Sequence, residues 1–143
     1  MGDNFKPHDS VHCQYEIDGQ RLDTSLSLEQ SILKVKLIFR PSDQDEYFAV
    51  AGDYFAAFQS IRIDTAPLGI KFLCQGARKN VYPTGMARDM GLGLSAYQLE
   101  LGKKADKSKL VRIFDAAPSS EIDTVENQDD FWRQWLASLG LEF

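Results

Sequence analysis

The chain has 143 residues, of which 43% are hydrophobic and 26% are charged, and its formal net charge is −5 at pH 7. This length suits one domain with a sizeable core, and the acidic balance disfavours nucleic acid as a partner because phosphates would repel it. No apolar run approaches a membrane span, and residues 1–10 lack the apolar segment of a secretory signal. We therefore expect one cytoplasmic domain over residues 1–143 that does not bind membranes and is flexible at residues 1–10.

Alternating apolar and polar residues predict two strands joined by a tight turn near the N-terminus. Residues 11–17 alternate, and the dipeptide Asp18-Gly19 that follows them is a strong hairpin signal. A second strand therefore begins near residue 20, and a third is predicted over residues 33–40. A helix over residues 27–33 is the competing interpretation, because this stretch contains good helix formers.

One helix is predicted with a clear start and a clear end. Asp53 is suited to cap its N-terminus, and Pro67 and Gly69 supply stop signals. From just before the cap, apolar residues recur at helical spacing and predict one buried stripe: Ala51, Tyr54, Phe55, Phe58 and Ile61. We expect this helix to pack on the sheet.

Four more short strands are predicted from alternation or from short apolar runs: residues 47–50, 70–74, 97–101 and 110–114. A C-terminal helix is predicted as well, capped by Asn127 or Asp129 and ended by Gly140. The resulting order, β-β-β-β-α-β-β-β-α, is typical of an α+β domain. We expect a mostly antiparallel sheet with two helices packed on one face.

The long connection over residues 76–93 follows neither period, and such loops are often functional when they are ordered. Its glycines allow close approach of a ligand, and its arginines suit a carboxylate or phosphate. The candidate binding side chains for an anionic ligand or an acidic partner are Arg78, Asn80, Tyr82, Thr84 and Arg88. The alternative is that the loop has no binding role. In that case the arginines bond backbone carbonyls and carboxylates of the chain, such as Asp89 or Asp115. The loop has no phosphate-binding fingerprint.

The cysteines and histidines do not form a recognisable metal or catalytic motif. Cys13 and Cys74 lie in strand-like apolar patterns, which favours two buried, reduced thiols over a disulfide. Cys74 is better explained as a core thiol than as a nucleophile. His8 and His12 lack a third histidine or a close cysteine pair, so we expect no metal site and no cofactor.

The acidic turn over residues 41–46 is a second candidate surface. It carries Asp43, Asp45 and Glu46, which solvated surface charge explains without any function. Their functional interpretation is an acidic face that steers a basic partner. Trp132 and Trp135 have two interpretations as well, because they suit core packing and, if partly exposed, a binding anchor.

Residues 74–86 read Cys-Gln-Gly-Ala-Arg-Lys-Asn-Val-Tyr-Pro-Thr-Gly-Met. Together with residues 88–91, 96–97 and 111–115, this string resembles a segment of small bacterial proteins that are similar in size and style to immunity proteins, which neutralise secreted toxins. The similarity extends over about a third of the chain. It implies a bacterial, cytoplasmic protein and carries no catalytic motif.

Three hypotheses of function follow. The leading one is a binding protein without catalytic activity, such as an immunity protein that contacts a basic toxin through Arg78, Tyr82, Arg88 and the acidic turn. The second is an anion-binding protein or enzyme with its pocket at the base of the 76–93 loop, where the two arginines hold the anion and Tyr82 and Thr84 donate hydrogen bonds. The third is a structural subunit with an exposed apolar patch near the two tryptophans. The sequence does not indicate the oligomeric state.

Overall fold

The structure is a computed structural model, and it describes residues 4–140. Its elements in chain order are β1 (Lys6–Ile17), β2 (Gln20–Gln30), β3 (Val35–Phe39), β4 (Tyr47–Ala51), α1 (Tyr54–Thr65), β5 (Lys71–Phe72), β6 (Val81–Tyr82), α2 (Gly85–Gly91), β7 (Ser95–Gln98), β8 (Leu110–Arg112) and α3 (Val125–Ser138). Short 3₁₀ turns lie between several of them. The predicted α+β class is confirmed. The described chain has three α-helices, one more than predicted.

Five strands form the larger sheet in the order β4-β3-β2-β1-β5, and all neighbours are antiparallel. The predicted hairpin turn joins β1 to β2, with φ of 51° at Asp18 and 74° at Gly19, as tight hairpin turns require. Pairing continues as far as Lys6 opposite Gln30. The first strand therefore takes in residues 6–10, for which the sequence predicts a flexible stretch; residues 1–3 of that stretch lie outside the described residues.

Residues 27–30 form part of a strand and not the alternative helix over residues 27–33. Strand β2 continues as far as Gln30, because Leu26 and Leu28 point into the core and the strand pairs with β3 along this stretch. Ile32 and Leu33 then lie in the turn, where they are 100% and 82% exposed. The third strand is consequently shorter than the sequence predicts, since Leu33 contributes nothing to the buried face.

A second sheet of three antiparallel strands has the order β6-β7-β8. The connection over residues 76–93, predicted to be irregular, contains both β6 and the short helix α2. Thr84 caps α2 by accepting the Ala87 N–H at 3.2 Å, and the carbonyl of Leu92 accepts the Tyr54 N–H at 2.8 Å. These elements are too short to show a helical or strand periodicity of apolar residues. Contacts with neighbouring segments stabilise them instead.

Helix α1 supplies the centre of the core. Asp53 caps it as predicted, accepting the Ala56 N–H at 2.8 Å, and Phe55, Phe58 and Ile61 are fully buried. The ring of Phe58 meets Phe72 of β5 edge-on at 5.4 Å. Helix α1 packs against β3 and β4, whereas α3 contacts α1 and β6, so the two predicted helices pack on different strands.

Helix α3 begins earlier than predicted. Thr124 caps it by accepting the Asn127 N–H at 3.1 Å, so the predicted caps, Asn127 and Asp129, lie inside the helix. Trp135 is buried in the core, whereas Trp132 is half-buried and stacks on a tyrosine ring of the second sheet. No helix within residues 4–140 is both long enough and apolar enough to cross a membrane.

Candidate functional site

Arg78 is held by polar side chains of its own chain. Its Nε lies 2.8 Å from Glu121 Oε2, an ion pair whose angle does not suit a hydrogen bond, and its Nη1 donates to Gln75 Oε1 at 2.8 Å. A backbone bridge between Arg78 and Ile122 brings Glu121 into place. Only 15% of the arginine side chain is exposed, so this guanidinium is not available to receive an anion.

Arg88 connects α2 with the start of α1. Its Nη1 donates to Asp53 Oδ2 at 2.9 Å, while Oδ1 of the same carboxylate caps α1. The guanidinium also lies over the rings of Phe55 and Tyr82, at 5.3 and 5.5 Å from their centroids. A cation that lies over aromatic faces and is paired with a carboxylate side chain only 11% exposed makes a structural contact.

Tyr82 is buried, and its hydroxyl donates to Asp129 Oδ1 at 3.0 Å. Its ring stacks on Trp132 at 4.8 Å. Burial raises the pKa of Tyr82 to about 12, and the hydrogen bond to Asp129 contributes to this shift because ionisation would remove the donated proton. The phenol is therefore a fixed hydrogen-bond donor that joins the second sheet to α3.

The five predicted loop residues have partners within the chain; Arg88 and Tyr82 lie against each other, and none of the five lines the cavity between α1 and α3 described below. The Asn80 amide donates to the Leu99 carbonyl at 3.4 Å, and Thr84 is the cap of α2. For a purely structural role of the arginines, the sequence suggested Asp89 and Asp115 as example partners. The arginines instead pair with Glu121 and Asp53. Because the fold brings these carboxylates from distant parts of the sequence, their pairing could not be read from spacing.

The strongest polar cluster is one that the sequence analysis missed. Gln128 of α3 is fully buried; its Nε2 donates to the carbonyls of Gly76 and Arg78 at 2.8 Å and of Val81 at 3.0 Å. Its Oε1 accepts from Arg62 Nη1 at 2.7 Å. This side chain therefore satisfies the backbone of the segment that enters the 76–93 connection.

Arg62 completes this cluster from α1. Besides Gln128, it donates to the carbonyls of Gly76, Ala77 and Asp123 at 2.9 to 3.4 Å. Burial lowers the pKa of Arg62 to about 10, so the guanidinium stays charged at neutral pH. One feature of the sequence could have indicated that Arg62 is buried. It lies four residues after Phe58 and therefore on the apolar face of the helix.

A large cavity lies between the end of α1 and the start of α3. Its volume of about 740 Å³ is in the range of small-molecule sites. Apolar side chains form most of its wall: Ile63, Ala66, Pro67, Ile70, Phe72, Ile122 and Val125. Both signs of charge occur around it, with Arg62 and Lys71 against Asp123 and Glu126, so it does not select one charge of ligand.

The acidic turn adjoins an open strand edge, and we call the two together the β4 surface, defined by Asp43, Asp45, Glu46, Phe48 and Val50. The two aspartates and Glu46 are exposed, and only Glu46 has a cationic partner among the described residues, Arg40 at 2.9 Å. Phe48 and Val50 are 53% and 41% exposed. Strand β4 pairs with β3 alone, and no described backbone group bonds to its outer edge.

The histidines make hydrogen bonds and do not form a metal site. His12 Nε2 lies 2.8 Å from Asp23 Oδ1, and His8 Nδ1 lies 3.0 Å from the Tyr54 hydroxyl. Across residues 4–140, no group of three or more His, Cys, Asp and Glu side chains is arranged to hold a metal ion.

No family model matches the chain, and no curated protein matches it. The geometry of the chain's own residues therefore carries the functional inference.

Proposed function

We propose that this chain is a cytoplasmic, non-catalytic binding protein whose partner is a basic protein, and that it acts as an immunity protein that holds a basic toxin. The observation that carries the proposal is the β4 surface, where exposed carboxylates adjoin an open strand edge with exposed apolar side chains. Such a role requires complementary shape and charge, and it requires no reactive group.

Two carboxylates of the β4 surface support a basic partner, while Arg40 pairs with Glu46 and the Lys36 ammonium lies 4.6 Å from the centroid of the Phe48 ring. Among the described residues, no Lys, Arg or His nitrogen lies within 4.0 Å of the carboxylates of Asp43 or Asp45. The net charge of −5 adds a long-range field of the same sign. Complementary fields of this kind accelerate association with a basic protein and disfavour acidic competitors.

The backbone of the β4 surface supports binding of an extended segment. The edge strand Tyr47–Ala51 contains no charge and no proline, the two devices that commonly protect an edge. A partner strand would add to this edge through main-chain hydrogen bonds, with its apolar side chains on Phe48 and Val50. Basic residues just beyond that strand would then lie near Asp43 and Asp45.

The paired arginines of the 76–93 connection also favour this proposal over an anion-binding protein with its pocket at that connection. An anion pocket there would need free guanidinium groups, whereas Arg78 and Arg88 lie 2.8 and 2.9 Å from carboxylates of the chain. The two ion pairs therefore tie the connection to α1 and to the segment before α3. A rigid scaffold lowers the entropy cost of binding.

Affinity capture with charge-reversed variants tests the proposal. We expect the tagged protein to retain a basic protein from the lysate of its source organism, and the double variant Asp43→Lys/Asp45→Lys to bind that protein about tenfold or more weakly. Phe48→Ser should weaken it as well. The matched control is Asp64→Lys/Asp89→Lys, which changes the net charge equally at exposed positions away from the β4 surface and should bind normally.

Two results would contradict the proposal: capture of no stoichiometric partner, or equal binding by the reversed variant and its control. The captured protein should also inhibit growth when expressed alone, and co-expression of this chain should relieve the inhibition. A captured basic protein without toxicity would retain the binding role and remove the immunity role.

A second candidate is a small-molecule carrier, which the cavity between α1 and α3 favours. The anionic dye 8-anilinonaphthalene-1-sulfonate is a suitable probe, since its fluorescence rises in apolar cavities. We expect the signal to fall in Ala66→Trp, which fills the cavity, and to persist in Phe48→Ser. A signal that disappears with Phe48→Ser and persists with Ala66→Trp would assign the dye to the β4 surface and count against this candidate.

A further inference from the structure

Two buried thiols lie near the β5 edge of the larger sheet, one in β1 and one just after β5. Tyr15 pairs with Phe72 in the antiparallel register of β1 and β5, and the N–H of Leu73 donates to the Gln14 carbonyl at 2.8 Å. The strand pairing ends at Phe72, and Cys74 forms an isolated bridge with Ala116. The bond between Leu73 and Gln14 nevertheless keeps the two segments together, so that Cys74 and Cys13, the next residue along each segment, lie near each other. Both cysteines are free, and their side chains are 3% and 0% exposed.

The spacing of such a pair suits a disulfide. Opposed residues in an antiparallel sheet have Cα atoms roughly 4.5 to 5.5 Å apart, and disulfides span Cα separations of about 4.4 to 6.8 Å. The thiols also interact directly: burial raises the pKa of the Cys74 thiol well above its ordinary value, and interaction with the Cys13 side chain raises it further. Both thiols are therefore buried in the core and close enough to interact.

We propose that Cys13 and Cys74 are a peroxide-sensitive dithiol that closes to a reversible disulfide between β1 and the segment after β5. The oxidant is a small hydroperoxide, which can reach a buried pair when a larger disulfide reagent cannot. This site is independent of the β4 surface and of the proposed function.

The chemistry balances with hydrogen peroxide as the only co-reactant. Cys13, the more exposed of the two, attacks one peroxide oxygen as its thiolate; the O–O bond breaks, and a sulfenic acid and one water result. The Cys74 sulfur then attacks the sulfenic sulfur, forming the S–S bond and expelling the second water. The two thiols lose two electrons and two protons in total, and the peroxide receives both.

The effect on the protein follows from the position of the link. The disulfide would close a loop over residues 13–74, which contains most of the larger sheet and all of α1. Cross-linking a loop of this length restricts the unfolded chain, so the melting temperature should rise by about 5 to 15 °C. Because both thiols are buried, oxidation depends on local opening of the sheet edge and should be slow.

Oxidation of the native protein tests the proposal. The reduced protein is exposed to hydrogen peroxide, treated with catalase, denatured and alkylated, and its peptides are mapped by mass spectrometry. We expect a peptide pair linked through Cys13 and Cys74, lighter by about 2 Da than its two reduced peptides together. The melting temperature should rise as stated, and dithiothreitol should reverse both changes.

The exposed methionines provide an internal control. Met86 and Met90 are 72% and 81% exposed and should become sulfoxides, which shows that the peroxide was active on the protein. Oxidised methionines with two fully alkylatable cysteines would overturn the proposal, as would sulfinic acid or an intermolecular disulfide in place of the internal link. Cys13→Ala should abolish the linked peptide, and the wild-type peptide map decides the question even if that variant folds poorly.

Discussion

Replacement of Gln128 by leucine is expected to lower the free energy of unfolding by about 3 to 5 kcal/mol. Leucine has a similar volume, so the loss arises from hydrogen bonds and not from a cavity. The Val81 carbonyl would lose its donor, and Arg62 would lose its closest acceptor, at 2.7 Å, while both stay buried. Urea unfolding, followed by tryptophan fluorescence, measures the change.

The same helix offers a matched control. Gln134 is exposed on α3, and Gln134→Leu should change the free energy of unfolding by no more than about 0.5 kcal/mol. Arg62→Met should be strongly destabilising by itself. Combined with Gln128→Leu, it should cost less than the sum of the single changes by about 1 kcal/mol or more, because the charge that Gln128 stabilised is then absent. Strict additivity would show that the two side chains do not act together.

Local signals explain the parts of the fold that the sequence predicts. The Asp18-Gly19 turn and the Asp53 cap each depend on a few adjacent residues, whose chemistry is the same in any protein. The cap of α3 shows where local signals become ambiguous. Thr124, Asn127 and Asp129 all have side chains suited to capping, and burial of Val125 favours a start at the first of them.

Tertiary contacts explain what the sequence does not predict. Helix α2 has no apolar stripe of its own, since Met86 and Met90 point to solvent, and it depends on the Thr84 cap and on contacts with α1. The carboxylates paired with Arg78 and Arg88 are more than thirty residues away in the chain, which no spacing rule reaches. The β4 surface combines both kinds of feature. Its carboxylates could be identified from the sequence, whereas the open strand edge beside them follows from the strand order, which the sequence does not give.

Replacement of Gly93 by alanine is expected to lower the free energy of unfolding by about 3 to 5 kcal/mol. Gly93 has φ of 71°, a conformation that alanine adopts only with strain, and an added Cβ would lie 2.7 Å from Asp53 Oδ1 and 3.0 Å from the Phe55 nitrogen. The Asp53 carboxylate would have to move. It caps α1 and binds Arg88, so one methyl group would disturb a helix cap and an ion pair together.

Gly91 is the control for this prediction, because it lies two residues earlier and a methyl group added there would meet no described heavy atom within 4 Å beyond its own helix and chain neighbours. Gly91→Ala should leave the free energy of unfolding unchanged or raise it by up to about 1 kcal/mol, since alanine favours the helix. Thermal and urea unfolding of both variants give the comparison. If Gly93→Ala matched Gly91→Ala, the Asp53 carboxylate would not be confined as the structure shows, and the coupling of α2 to α1 through Arg88 would lose its basis.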